Sequence, residues 1–306
     1  MESNKSKKIF GLSVVTIVYA ITIILGIILY KYLPIEEDKG DLIILKFFIV
    51  DIFCTIFIFL VGLIFKNASF YDPYWSVAPM VMSIFMYLNY GHQDIFGLIL
   101  VVLILIWGAR LTINWAIKFN DIHWIDWRYK DLHDKKPKLY FFVNLFGIHL
   151  VPTLVVFVAM LPVFSFIYAV DSTGSFENAI NPTVMTIVGL VFVLFAIIIE
   201  TIADLQMLIF KKNPVNQGRI MDVGLWKNCR HPNYFGEIFF WFSLFLVYFS
   251  YQGANLLMIF SPLVIFLLFE FISIPMMDKR QMNNKPGFKE YKDSTNALLP
   301  IFPPKK

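Results

Sequence analysis

The sequence predicts an all-α protein, a polytopic transmembrane helix bundle, and three observations predict it. Of 306 residues, 58% are hydrophobic and only 16% charged, with more apolar surface than one soluble core can hide. The run IFGLSVVTIVYAITIILGIILYKYL, residues 9–33, exceeds the ~20 apolar residues that carry a helix across a bilayer. Several further runs follow it, separated by polar breaks.

Taken in order, about eight spans are expected, at roughly 9–30, 42–65, 76–90, 95–117, 139–170, 182–210, 234–251 and 254–275. The first stands behind three lysines (Lys5, Lys7, Lys8), is too long for a signal-peptide core and lacks a small-residue cleavage site, so it is read as retained. The third is short. The fifth contains Pro152 and Pro162, which makes it one kinked helix or two segments. No repeat at a fixed period appears, and a single structural unit is the simplest reading, with residues 1–70 as N-terminal spans of unassigned role and 71–306 as the main body.

The basic residues divide by side. With both termini cytosolic, the inside segments hold most of the Lys and Arg, whereas the loop from Asp171 to Asn181 has none. This asymmetry follows the positive-inside rule and accounts for the net charge of +4 without a nucleic-acid partner. The sequon at Asn67 then falls on the cytosolic side, where no glycan is expected, and the one at Asn181 is excluded by its proline. Cys54 and Cys229 are far apart and form no ligand pair, and His123, His133, His149 and His231 lack the spacing of a metal site on one helix face. No metal is expected. There is no G-x-G-x-x-G after a strand, no Walker loop and no H-E-x-x-H.

Polar residues concentrate in three places: NDIHWIDWRYKDLHDKK at 120–136, ETIADLQ at 200–206, and GLWKNCRHPNYFGE at 224–237. Glu200 and Asp204 share one helical face, and an ionisable group in a span costs about 2.5–3.5 kcal/mol, so this face is expected to meet protein or water. A purely structural pairing with a base such as Arg110 is the competing account. Asp51, Glu270 and Arg110 lie near uncertain span ends and are given no mechanistic role, since long side chains snorkel.

In the third stretch Pro232 suits the first position of a helix, with His231 near the cap. Asn233 and Glu237 then share a face, and Arg230 sits just outside. Open N–H groups at that helix start, beside Arg230 and Lys227, make a phosphate or carboxylate site. An aromatic interface belt explains Trp226 and Tyr234 but not the histidine, asparagine and glutamate.

GLWKNCRHPNYFGE resembles the signature of the steroid 5-alpha-reductase C-terminal superfamily, and more closely its branch known as the domain of unknown function number 1295. DPYWS at 72–76, IDWRY at 125–129, ETIADLQ at 200–206 and KPGFKEYKDSTNALLP at 285–300 resemble that branch in the same order. The resemblance implies a steroid-reductase-like membrane domain over 71–306, an integral membrane oxidoreductase in which NADPH enters from the cytosol and reduces an activated C=C bond of a lipid, an enone steroid or enoyl thioester. It further implies that Arg230, His231, Asn233, Tyr234 and Glu237 line the cofactor, with Trp226 and Asp204 nearby and Arg128 and Tyr129 in a second motif. Hydride reduction of a conjugated double bond needs a hydrogen-bond or proton donor where charge develops, for which Tyr129 and Tyr234 are the candidates. The tail departs from the branch at SIPMMDKRQMNN, where Asp278 stands in for an expected glutamate, and residues 1–70 take no part in the resemblance.

Two other classes compete. Membrane methyltransferases that use S-adenosylmethionine carry a similar RHP-Y-G stretch; HPNY, GLW and ADLQ favour the reductase. A non-catalytic transporter or membrane scaffold would show an inverted repeat or midplane polar groups, and neither is visible. The expected location is an integral one, in the endoplasmic reticulum of a eukaryote or the cytoplasmic membrane of a bacterium, in contact with membrane lipids and a lipid-like substrate.

Overall fold

Helices form where the apolar runs predict them, and several continue beyond. The computed structural model describes residues 2–37, 39–91, 94–173, 182–251 and 254–299. Its long helices are α1 (Glu2–Tyr32), α2 (Gly40–Ile64), α3 (Tyr74–Tyr90) and α4 (Ile95–Lys118). The short α5 (Trp127–Lys135) and α6 (Tyr140–Phe142) lead into α7 (Val151–Thr173). After these come α8 (Pro182–Lys212), α9 (Pro232–Phe249), α10 (Phe260–Leu268), α11 (Ile274–Asn284) and α12 (Phe288–Ser294).

Among the described residues, six helical stretches are long and apolar enough to cross a membrane: Lys5–Tyr32, Gly40–Ile64, Ile95–Lys118, Pro137–Ala169, Val184–Lys212 and Leu256–Asn284. α3 and α9 coincide with the two remaining expected spans but fall short of these six in length or apolarity. The loop with the Asn181 sequon lies outside the described residues. The chain is an all-α membrane-type bundle; its only extended pairing among the described residues is a bridge between Cys229 and Asn296.

The fifth run is one continuous helical path, and the way it accommodates Pro152 is specific. A π-helical stretch, Val143–Leu150, ends two residues before that proline. The same arrangement recurs at Phe269–Ser273, two residues before Pro275. Proline has no N–H and clashes with the carbonyl four residues back, so a widened turn at that point removes the conflict without ending the helix.

The chain forms two compact units, Met1–Gly174 and Ser175–Lys306. In the first, α1 packs on α2, and α3 packs on α4 and α7. Phe47, Phe157 and Phe164 interlock there, with Phe47 and Phe164 stacked at 5.4 Å. The second unit is organised by α8 against α9. Gly236 permits the approach, because an added Cβ would lie 2.9 Å from Glu200 Cβ and 3.1 Å from its backbone nitrogen.

Candidate functional site

In the second unit, three pieces far apart in sequence become one polar wall. At the end of α8, Ala203 accepts a hydrogen bond from the Trp226 indole at 3.1 Å, and Gln206 Oε1 accepts one from Leu225 N at 3.0 Å. Gly224 makes that turn at φ +61°, a left-handed conformation, and a Cβ there would strike the Gln206 side chain at 2.6 Å. The left-handed conformation is what favours glycine there. Between them on α8, Asp204 Oδ1 meets Asn233 Nδ2 of α9 at 3.4 Å. ETIADLQ and GLWKNCRHPNY are thus adjoining parts of one surface.

α9 begins as expected, with His231 at the cap and Pro232 first in the helix, and no side chain caps the helix start. Glu237, buried, accepts from the Trp241 indole at 2.8 Å, four residues along the same helix. Tyr234 is half-buried, its ring stacked on His231 at 5.1 Å and tilted against Phe269 at 4.7 Å.

Arg230 and His231 bind the protein itself. Arg230 donates through Nη2 to Asp278 Oδ2 at 3.1 Å, and through Nη1 to the carbonyls of Lys292 (2.9 Å) and Thr295. His231 Nε2 lies 2.9 Å from Asp278 Oδ1. Backbone bonds run alongside, from Arg230 N to Asn296 O and from His231 N to Ala297 O, and the Cys229 thiol donates to the carbonyls of Ala297 and Leu298. Burial pushes that thiol up to about 11, which keeps it protonated. The tail is therefore clamped onto the signature, with Asp278 as the acid that receives both side chains.

For a phosphate-bearing ligand the wall still fits. The first N–H groups of α9 are uncapped, Lys227 is exposed, and the buried Nε of Arg230 has no partner among the described residues.

The first unit holds the remaining expected residues. Asn67 is buried, donating to the carbonyls of Ile122 (2.8 Å) and Trp124 (2.9 Å) and accepting from Ser69 N, so its sequon is spent on structure. Ser69 Oγ in turn accepts from Asp126 N at 2.8 Å. These bonds bring DPYWS and IDWRY together: the Tyr129 hydroxyl donates to Asp72 Oδ1 at 2.5 Å, and Arg128 reaches the same oxygen at 3.4 Å while holding Asp126 at 2.7 Å. Burial raises the Asp72 carboxyl to about 6, with Arg128 opposing. Tyr129, also buried, is raised well above the usual phenol range, so it remains a donor.

Sequence reasoning set Asp51 aside, yet it lines a cavity of this unit. A cleft of about 610 Å³, counting the space at its mouth, runs between α1, α2 and α3. Gly26, Cys54, Ala78 and Met82 are among its apolar walls, and Asp51 is the one acidic residue lining it. The Tyr74 hydroxyl donates to Asp51 Oδ1 at 2.6 Å. A carboxyl on α2 and a hydroxyl on α3 give no signal in one sequence, because nothing local relates them.

The family model described as "Protein of unknown function (DUF1295)" matches residues 58–295. The chain belongs to the DUF1295 family. No curated protein matches it, and no solved structure does. All of the second-unit wall described here up to Thr295, and Asp72, Arg128 and Tyr129 in the first unit, fall within the DUF1295 match. α1 and most of α2, which form much of the cleft, precede it. Among the described residues no group of three His, Cys, Asp or Glu gathers as a metal site.

Proposed function

We propose that this DUF1295 member is an integral membrane reductase that uses NADPH to reduce an activated C=C bond of a lipid, an enone steroid or an enoyl-type substrate. The observation that carries the reading is the second-unit wall, where Asp204, Trp226, Asn233 and Tyr234 are gathered beside an uncapped helix start. Asn233 and Asp204 supply a donor and an acceptor for a ribose or nicotinamide amide, and the α9 N–H groups with Lys227 receive phosphate. Arg230 and His231 hold the shape of this wall by fastening Asp278 and the tail, and Glu237 fixes α9 through Trp241. When bound, NADPH supplies the hydride.

For the lipid, the reading assigns the first-unit cleft, whose apolar lining suits a hydrocarbon chain. Tyr74, held by Asp51, is the hydrogen-bond and proton donor to the polar end of that lipid. This replaces Tyr129 in the donor role because Tyr129 does not line the cleft, both hydroxyls being engaged by a carboxylate, Tyr74 by Asp51 and Tyr129 by Asp72; Tyr234 belongs with the cofactor.

Thermal melting of the detergent-purified protein tests the cofactor. NADPH at a hundredfold excess over its Kd stabilises by about 2.7 kcal/mol, and the Asn233→Ala variant is expected to fold yet lose that stabilisation. A shift with S-adenosylmethionine and none with NADPH overturns the reading in favour of methyl transfer.

A further inference from the structure

We propose that Tyr30, Phe47 and Phe85 are the end-stop of the first-unit cleft and set the length of hydrocarbon it accepts; the inference rests on the reading of that cleft as the lipid site. The first support is the way the three rings close together. All three line the cleft. Tyr30 lies 4.7 Å from Phe85 and 5.2 Å from Phe47, and Phe47 lies 5.8 Å from Phe85. Phe47 is itself backed by Phe164, stacked on it at 5.4 Å. Each of the three helices around the cleft thus gives one ring to a mutually packed triad, and a chain that reaches rings in such contact must displace one to go further.

The second support is position. The Tyr19 and Tyr74 rings, 6.4 Å apart, stand at the other end, where the Tyr74 hydroxyl meets Asp51. Tyr19 and Tyr30 are eleven residues apart on α1, and so are Tyr74 and Phe85 on α3, about 16 Å of helix in each case. Between these ends the walls are mainly small or aliphatic, among them Gly26 and Ile27 on α1 and Ala78 and Met82 on α3. A lipid whose polar end is held at Tyr74 runs its hydrocarbon along these walls and meets the triad.

The stop is also braced, which an incidental cluster of rings would not need. The Tyr30 hydroxyl is 2.6 Å from that of Tyr90, at the end of α3, and Tyr90 in turn donates to Glu37 Oε2. Glu37, in the segment that follows α1, takes the Lys46 amine on its other oxygen at 2.5 Å. That amine, on a side chain only 4% exposed, lies over the Tyr30 ring at 4.4 Å from its centroid. A lysine so withdrawn from water needs its counter-charge, so Glu37 stays in place and the Tyr30 ring is held by its hydroxyl and by its face. Tyr30, Glu37, Lys46 and Phe47 all precede the family match, so most of the stop and its brace lies outside it.

A competition among straight-chain methyl ketones, from hexan-2-one to octadecan-2-one, tests the stop without cofactor or turnover. The series is offered in equal amounts to the purified full-length protein in detergent, and the ketones retained in excess of protein-free micelles are extracted and counted by mass. The wild type is expected to show a cut-off, retention falling about tenfold or more for each methylene past the stop. Phe85→Leu moves that cut-off to longer chains, and Phe85→Ala moves it further. Tyr30→Phe keeps the ring and removes its tie to Tyr90, so chains just beyond the cut-off gain while shorter ones do not. Tyr74→Phe, at the polar end, lowers retention at every length without moving the cut-off. A wild type with no cut-off, or a cut-off that stays in place in both Phe85 variants, overturns the proposal. Gly26→Val separates that failure from failure of the lipid-site reading: loss of retention at every length keeps the lipid in the cleft, and unchanged retention removes it from there.

Discussion

The imidazole of His231 and the carboxyl of Asp278 meet at 2.9 Å across 47 residues of chain. Arg230 closes on the other oxygen of Asp278 at 3.1 Å, and all three side chains are buried or nearly so. Removing the acid strands two polar side chains at once. Asp278→Ala is therefore expected to destabilise the second unit by about 3–5 kcal/mol, read as a lowered melting temperature and faster proteolysis of the tail. Lys292 lies 3.6 Å from the same acid with 40% of its side chain exposed, so Lys292→Ala should change stability by less than ~1 kcal/mol. Equal melting of Asp278→Ala and wild type removes the clamp from the account.

Gly236 predicts a second loss in the same unit. A methyl there meets Glu200 Cβ at 2.9 Å and backbone atoms of α8 at 3.1 and 3.2 Å, so the two helices must part. Gly236→Ala is expected to cost about 1–3 kcal/mol despite the better helix propensity of alanine. Gly147 is the control: its nearest contact would be 3.9 Å, and Gly147→Ala should be close to neutral. Melting curves of the two variants decide it.

Asp72 predicts a dependence of stability on pH. Its carboxyl is raised from 3.8 to about 6 in the fold, first by burial, so the folded state binds the proton more tightly than the unfolded chain does. The stabilisation is fully present below about pH 4 and is lost as pH rises through about 6. Melting temperature should accordingly carry a falling component between those values, and Asp72→Asn should lack it. A slope unaltered by the substitution would show that other groups control the response.

Much of the fold was legible because each helix needs only its own residues: length and apolarity place α1, α2, α4 and α8 within a few positions of their expected ends, apart from the start of α1. That start reaches back to Glu2 and α11 runs on to Asn284, because helix formation does not stop where hydrophobicity does. The π-helical turns before Pro152 and Pro275 were not legible, as they are a backbone answer to a steric conflict. In the second unit the signature residues were found by motif, and Asp278 was already visible as the acid in the tail. What they bind was not visible, since Arg230 and His231 look the same in sequence whether they hold a phosphate or a carboxylate of the chain. Asp51 was passed over as a charge near an uncertain span end, and its partner Tyr74 on another helix left no local signal to correct that.

The cleft offers the last prediction. Gly26 lines it on α1, and an added Cβ would lie 3.0 Å from Cys54 Sγ and 3.4 Å from Val50 Cγ1. Valine at this position adds further methyl groups to a wall that is already in contact. If the cleft binds the hydrocarbon body of a lipid, Gly26→Val should reduce the lipid that co-purifies with the protein by about tenfold or more, the worth of one or two misplaced methyl groups in an apolar pocket. Removing the sulfur should restore room, so Gly26→Ala combined with Cys54→Ala is expected to bind better than Gly26→Ala alone. Ile24→Val, on the exposed side of the same helix, should leave binding unchanged. Extraction and mass analysis of bound lipid gives the readout, and equal recovery from Gly26→Val and wild type would move the lipid site away from this cleft.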